Sequence, residues 1–191
     1  MKYLVDTNVF MHTIEKNIYE VAKRCDTQNN RVCVTQTIID ELEPSYYKLI
    51  GDKSSKEVFN SVNSLVNMFD LIEVINIEDI PGAREEFNKI RKRYYRWTSD
   101  HEYLKKLIQK GALKKEDVRY IRKKDLGECE LVAIAKTSKG EYWLITNDLG
   151  RVFLHPHLNI FDMYKDDPDV KIISGLDWLQ KIEDDKFKSN V

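Results

Sequence analysis

The sequence predicts an α/β sandwich built around a mostly parallel β-sheet. Short apolar runs of strand length alternate with longer segments whose apolar residues recur at helical spacing, which is typical of βαβ units. The chain has 191 residues, of which 42% are hydrophobic, and its formal net charge is −1. A chain of this length and composition is able to form its own core, so we expect residues 1–191 to form a single domain.

The order of the elements follows from apolar periodicity and from the turn residues between segments. Thr35 or Thr37 is placed to cap the helix that follows the second strand. In chain order we expect strands at about 3–5, 31–35, 71–77, 142–146 and 170–173, and helices at about 9–25, 38–42, 58–69, 81–97, 100–110, 115–124, 125–140 and 176–182.

Positive charge is concentrated in one segment of the chain. Residues 84–124 carry a net charge of +9, whereas the rest of the chain carries −10. The segment is too short for a core of its own, so we interpret it as a basic helical insertion within the domain. Its charge indicates either a polyanionic partner or a set of solvated helix faces, and composition leaves both interpretations open.

No segment has the length of a membrane span, and no signal peptide opens the sequence, so we expect no membrane association. The cysteines are Cys25, Cys33 and Cys129, an odd number without the spacing of a metal site. We expect reduced, structural thiols in a cytoplasmic protein.

Four acids fall at positions that are expected to converge. Asp6 and Asp148 each follow an apolar strand, Glu41 lies on the helix after the second strand, and Glu130 lies early in the helix before the Asp148 strand. Ligands of open α/β sheets bind at the carboxyl ends of the strands. Each acid also has an ordinary explanation, namely a helix cap for the two aspartates and a solvated helix face for the two glutamates.

Taken together and in order, these motifs resemble the PIN-domain ribonuclease family. The resemblance covers about residues 2–44 and 126–148 and leaves the basic segment unexplained. It implies a three-layer PIN-like sandwich with an added basic helical segment. The residues that carry it are Val5-Asp6-Thr7-Asn8, Asp40-Glu41-Leu42, Gly127-Glu128-Cys129-Glu130-Leu131-Val132-Ala133-Ile134-Ala135 and Ile145-Thr146-Asn147-Asp148.

The resemblance also implies which residues form the site. Residues two apart on a regular helix point away from each other, so one of Glu128 and Glu130 should face the site. The family-like spacing to the alanines favours Glu130, with Glu128 as the alternative, and Asp40 is the weaker substitute for Glu41. The implied catalytic and metal-binding acids are Asp6, Glu41, Glu130 and Asp148, and the implied supporting polar residues are Thr7, Asn8, Thr146 and Asn147.

The chemistry of such a cluster suits a divalent cation. Carboxylate oxygens are hard ligands that favour Mg²⁺ or Mn²⁺, and acids held close together either retain protons or require a cation. Two bound ions activate water and stabilise the leaving oxygen in phosphodiester hydrolysis. The expected activity is therefore metal-dependent endoribonuclease cleavage of RNA.

An RNA substrate gives the basic segment a role, because Arg and Lys bind phosphates and aromatic rings stack on unpaired bases. Tyr94 and Trp97 fit the apolar stripe of their helix, so we expect them to pack in the core. The predicted RNA contacts are Arg91, Lys92, Arg93, Tyr95 and Arg96.

The resemblance implies several biological settings. Many members of the family are toxins, so an antitoxin or other inhibitory protein and a homodimer are expected partners, while the basic helices keep RNA processing and phage defence open. The alternative is a catalytically inactive PIN-like module that binds RNA or protein. An aspartyl phosphatase is disfavoured, because Asn8 stands where that chemistry needs a second acid.

Overall fold

The computed structural model describes residues 1–43, 53–115, 118, 123, 125–150 and 159–188. Five parallel strands form one sheet in the order β3-β2-β1-β4-β5. The central strand β1 is apolar and buried, as expected for a parallel sheet covered on both faces. The strands are β1 Lys2–Val5, β2 Arg31–Thr35, β3 Ile72–Ile75, β4 Tyr142–Ile145 and β5 Lys171–Ile173.

Helices connect and flank these strands, which confirms the predicted α/β class. In the described chain, α2 packs against α4 and α9, whereas α7 packs against α5 and α8. The crossover from β1 to β2 contains α2, and the crossover from β3 to β4 contains α7. The two run in opposite directions across the sheet, so with right-handed crossovers these two groups lie on opposite faces. The helices are α1 Thr7–His12, α2 Ile18–Thr27, α3 Gln36–Leu42, α4 Lys53–Asn67, α5 Ala83–Tyr94, α6 His101–Gln109, α7 Leu126–Thr137, α8 Ile160–Tyr164 and α9 Gly175–Lys188, with short 3-10 helices at Ile77–Asp79 and Arg96–Ser99.

Most predicted elements are present, with two differences. The single helix expected over 9–25 is two helices, because the chain leaves α1 at Thr13, whose hydroxyl accepts a 2.7 Å hydrogen bond from Asn147 Nδ2. The short helix α8, capped by Asn159, was not expected. The helix predicted over 115–124 lies largely outside the described residues. Thr35, rather than Thr37, caps α3 through its side chain.

The described part of the basic segment shares the core of the domain. Ala83 and Ile90 of α5 are buried, and α5 packs along α7. The three cysteines are free and buried, in agreement with a structural role. Within the described chain, no helix has the length and apolar character needed to cross a membrane.

Candidate active site

The candidate site lies at the carboxyl ends of β1 and β4. The two strands pair with Val5 opposite Ile145, and the Asp6 backbone N–H continues the ladder by donating to Ile145 O at 3.0 Å. The chain leaves β1 toward β2 on one side, while β4 lies on the other, so the strand order reverses here. Such a switch point is where open α/β sheets bind ligands.

Hydrogen bonds join the first and last predicted acids. The Asn8 side-chain amide donates to Asp6 Oδ2 at 2.6 Å and to Asp148 Oδ2 at 2.7 Å. The buried Thr146 hydroxyl donates to Asp6 Oδ2 at 2.8 Å and accepts from the Asp148 backbone N–H at 3.2 Å. The Thr7 N–H donates to Asp6 Oδ1 at 2.8 Å, which caps α1. Asp6 is therefore both the helix cap and a member of the cluster.

Glu41 reaches the cluster from α3 and also touches α7. Its Oε2 accepts a 3.0 Å bond from the Thr7 hydroxyl, and its Oε1 accepts a 3.2 Å bond from the Gly127 N–H. A Cβ at position 127 would lie 2.9 Å from Glu41 Oε1 and 2.7 Å from Ile38 Cδ1. The glycine therefore allows α7 to begin against α3 and to present a backbone donor to this carboxylate.

The start of α7 adds three further acids: Asp125, just before the helix, and Glu128 and Glu130 within it. Burial, and then the charges of Asp125, Asp6 and Glu41, raise the pKa of Glu128 well above its ordinary value. Glu130 is 9% exposed, and its Oε2 has no hydrogen-bond partner among the described residues. Its charge also acts on Glu41. Charge interactions thus link both glutamates to Glu41, and the choice of which one faces the site stays a prediction.

Burial brings the pKa of two acids of the cluster close to neutral pH. Loss of hydration raises the pKa of Asp6 to about 7; the Thr146 hydrogen bond opposes this, while the charges of Glu41 and Asp148 add to it. Burial likewise raises the pKa of Glu41 to about 7, against the hydrogen bonds from Thr7 and Gly127. Clusters of such perturbed acids are typical of functional sites.

Asn147 connects the carboxyl end of β4 to the end of α1 and the start of α9. Its backbone N–H donates to Asn8 Oδ1 at 3.0 Å, and its side-chain oxygen accepts from the N–H of Gly175, the first residue of α9, at 3.1 Å. With the Thr13 contact, Asn147 connects β4 to α1 and α9. Thr7, Asn8 and Thr146 thus donate hydrogen bonds to acids of the cluster, and Asn147 donates one to Asn8.

The donor set fits a hard divalent cation, although it is not a closed cage. The groups are carboxylates from four separate segments, and Glu130 contributes a buried oxygen without a partner. In the described part of the chain, no three Asp, Glu, His or Cys residues are already grouped closely enough to hold one ion. Asn8 Nδ2 lies between Asp6 and Asp148, so ion binding there requires this amide to move.

The predicted RNA contacts divide into exposed and packed residues. Lys92, Arg93 and Arg96 are exposed at the end of α5 and just after it. The Arg91 guanidinium is instead held 4.3 Å from the centroid of the Tyr95 ring. The prediction that Tyr95 contacts RNA is wrong, because the residue is 2% exposed and belongs to the core.

The two aromatic residues predicted for the core are both partly buried. Tyr94 packs against the core, as predicted, and lies edge-on to Tyr164 with 6.3 Å between the ring centroids. Trp97 packs edge-on against Tyr103, with 6.1 Å between the ring centroids. The helix ends at Tyr94, so the next residue no longer follows helical periodicity and turns its ring inward.

Asp125 is a cluster member that sequence reasoning missed. Its charge acts on Glu41, Glu128 and Tyr95. The residue precedes α7 with φ +53°, in the left-handed region. The available signal was its position, since an aspartate three residues before Glu128 is placed to start a helix at the same edge.

No family model and no curated protein matches this chain. One solved structure that resembles it is the crystal structure of VapBC2 from Rickettsia felis bound to a DNA fragment from their promoter. The match has a TM-score of 0.43 and 17% sequence identity, and it covers 91% of this chain and 98% of that chain. A similarity at this level carries no conclusion about activity.

Proposed function

We propose that this protein is a metal-dependent endoribonuclease that hydrolyses RNA phosphodiester bonds at the Asp6–Asp148 edge. The observation that supports the proposal most directly is the convergence of acids from β1, α3, α7 and β4, linked through Asn8, Thr7 and Gly127. Burying carboxyls together costs folding free energy, and functional sites are where such costs concentrate.

The residues that would hold Mg²⁺ or Mn²⁺ in this proposal are Asp6, Glu41, Asp148 and one glutamate of α7. We place Glu128 ahead of Glu130 there, because the charge of Asp6 acts on Glu128. A bound ion supplies Lewis-acid activation of water and stabilises charge on the leaving oxygen.

The protein contributes orientation to the same chemistry. The Thr7 and Thr146 hydroxyls and the Gly127 N–H donate to the carboxylates, which fixes the direction of their free lone pairs. These donors also favour the ionised carboxylates, which are the forms that bind a cation.

The exposed cations Lys92, Arg93 and Arg96 are proposed to bind RNA phosphates. Tyr95, between Arg93 and Arg96 in sequence, lies within range of the charges of Asp125 and Glu128, so this end of α5 lies beside the acid cluster. An RNA strand held there passes close to the carboxylates.

The proposal also includes action in the cytoplasm and an antitoxin-like inhibitory protein as a partner. Copurification with proteins encoded by neighbouring genes tests the partner.

Cleavage of labelled single-stranded RNA by the purified protein, in Mn²⁺ or in EDTA, tests the activity. Loss of a residue that only supports a metal ligand costs about 10–100-fold, so we expect Asp6→Asn and Asp148→Asn each to lose more than about 100-fold. Asp184→Asn, at an exposed position of α9, is the matched control. RNA binding without cleavage by the unmodified protein would instead support the non-cutting module, and unchanged cleavage by both site variants would overturn the assignment.

A further inference from the structure

The side chain of Tyr95 brings a hydroxyl from the basic segment toward the acid cluster. The residue follows α5 and is 2% exposed. Burial, and then the charges of Asp125, Cys129 and Glu128, raise the pKa of its hydroxyl. The Asp125 side chain lies within hydrogen-bonding reach of the Tyr95 hydroxyl. No hydrogen bond of standard geometry forms between the hydroxyl and any described residue, so Asp125 is the available partner for this buried donor.

Two contacts keep the Tyr95 ring in place. The Arg91 guanidinium stacks over the ring at 4.3 Å from its centroid, and Arg91 Nη1 donates to Cys129 Sγ at 3.9 Å. Arg91 lies on α5 and Cys129 on α7, so the contacts join the two helices across the ring. The hydroxyl is therefore held at the start of α7, where the acids lie.

Asp125 connects the hydroxyl to the rest of the cluster. Its charge acts on Tyr95 on one side and on Glu41 and Glu128 on the other. Its backbone has φ +53°, which is uncommon for a residue other than glycine.

We propose that Tyr95 is a positioning residue for the acid cluster, and that its hydroxyl donates a hydrogen bond to the Asp125 carboxylate in the ion-bound protein. This inference rests on the proposed function. It gives the basic segment a second role, because one of its residues then supports the cation site through Asp125. Asp125 is not itself one of the proposed ion ligands, but its charge acts on two of them, Glu41 and Glu128. Residues that support metal ligands in this way raise the affinity of a site for its ion.

Calorimetric titration of the full chain with Mn²⁺ tests this inference. Tyr95→Phe keeps the ring on Arg91 and removes the hydroxyl, and we expect Mn²⁺ affinity to fall about 10-fold. The midpoint of thermal unfolding in EDTA should be unchanged. Tyr94→Phe removes a neighbouring hydroxyl and is the matched control, expected to bind Mn²⁺ like the unmodified protein.

A double-mutant cycle with Asp125→Asn separates positioning from general destabilisation. If Tyr95 acts through Asp125, adding Tyr95→Phe to Asp125→Asn produces no further loss of affinity. Equal affinity of Tyr95→Phe and the unmodified protein, or a full additional loss in the double variant, would overturn the role of Tyr95 while leaving the proposed function intact. If Tyr95→Phe does not fold, Asp125→Asn alone tests the inference. Undiminished Mn²⁺ affinity in Asp125→Asn contradicts the inference, whereas a loss of about 10-fold supports it. Absence of Mn²⁺ binding by the unmodified protein would overturn both proposals.

Discussion

The side-chain amide of Asn8 lies 2.7 Å from Asp148 Oδ2 and ties the start of α1 to the end of β4. The same nitrogen donates to Asp6 Oδ2 at 2.6 Å, so one amide bridges carboxyls on adjacent strands. The Asn147 N–H donates to Asn8 Oδ1, which fixes the amide orientation, because only the oxygen can accept this bond. Asn8 thereby reduces the repulsion between two acids that would otherwise face each other.

Replacing Asn8 with Asp should destabilise the ion-free protein at pH 8. The substitution removes the bridging donor and adds a third charge between Asp6 and Asp148, so we expect a loss of about 1–3 kcal/mol in the free energy of unfolding. Urea denaturation in EDTA measures the loss, and Mn²⁺ should restore part of it. Asn88→Asp, at an exposed position of α5, is the control. Equal stability of the two variants would contradict the bridging role.

The ion-free protein should lose stability as the pH rises from about 5 to 8. Asp6 and Glu41 titrate near pH 7 in the folded chain, against ordinary values of 3.8 and 4.5. The folded state therefore holds protons that the unfolded state has released. The stability contributed by these groups is fully present below the ordinary values and is lost as the pH passes through 7.

Urea denaturation at several pH values in EDTA checks this dependence. Asp6→Asn removes one of the two groups, so its free energy of unfolding should vary less with pH. Saturating Mn²⁺ should stabilise the protein most at pH 8, where the carboxylates are ionised. A rise in stability between pH 5 and 8 in EDTA would show that the folded chain does not hold these protons.

The positions of the strands and of the acids at their ends can be predicted from the sequence for a physical reason. Buried parallel strands such as β1 and β2 consist of continuous apolar runs, and the polar residues that follow them mark the strand ends. The break after α1 was not predictable, because it depends on Asn147, 134 positions away from Thr13. The sequence also does not determine which of Glu128 and Glu130 faces the site. Helix α7 is buried around most of its circumference, so it has no polar face from which the orientation of the helix can be predicted.

Glu128→Gln and Glu130→Gln should separate the two glutamates of α7. Each substitution keeps the side-chain shape and removes the charge. We expect Glu128→Gln to weaken Mn²⁺ binding by at least about 10-fold, as loss of a residue at a metal site does, and Glu130→Gln to weaken it less. Mn²⁺ titration by calorimetry measures both. The reverse order would assign the fourth ligand to Glu130, as the sequence pattern favours.

Neutralising the exposed cations after the middle of α5 should weaken RNA binding in a salt-dependent way. For single-stranded nucleic acid, each phosphate that the protein neutralises adds about 0.7 to the slope of log affinity against log salt concentration. The triple variant Lys92→Ala, Arg93→Ala, Arg96→Ala should therefore lower this slope by up to about 2. A triple variant of exposed lysines elsewhere, Lys16→Ala, Lys23→Ala, Lys56→Ala, controls for net charge. Arg91→Ala should instead lower stability, because Arg91 packs on Tyr95 and Cys129. If both triple variants reduce the slope equally, net charge rather than a defined surface governs binding, and the assignment of these three residues to RNA fails.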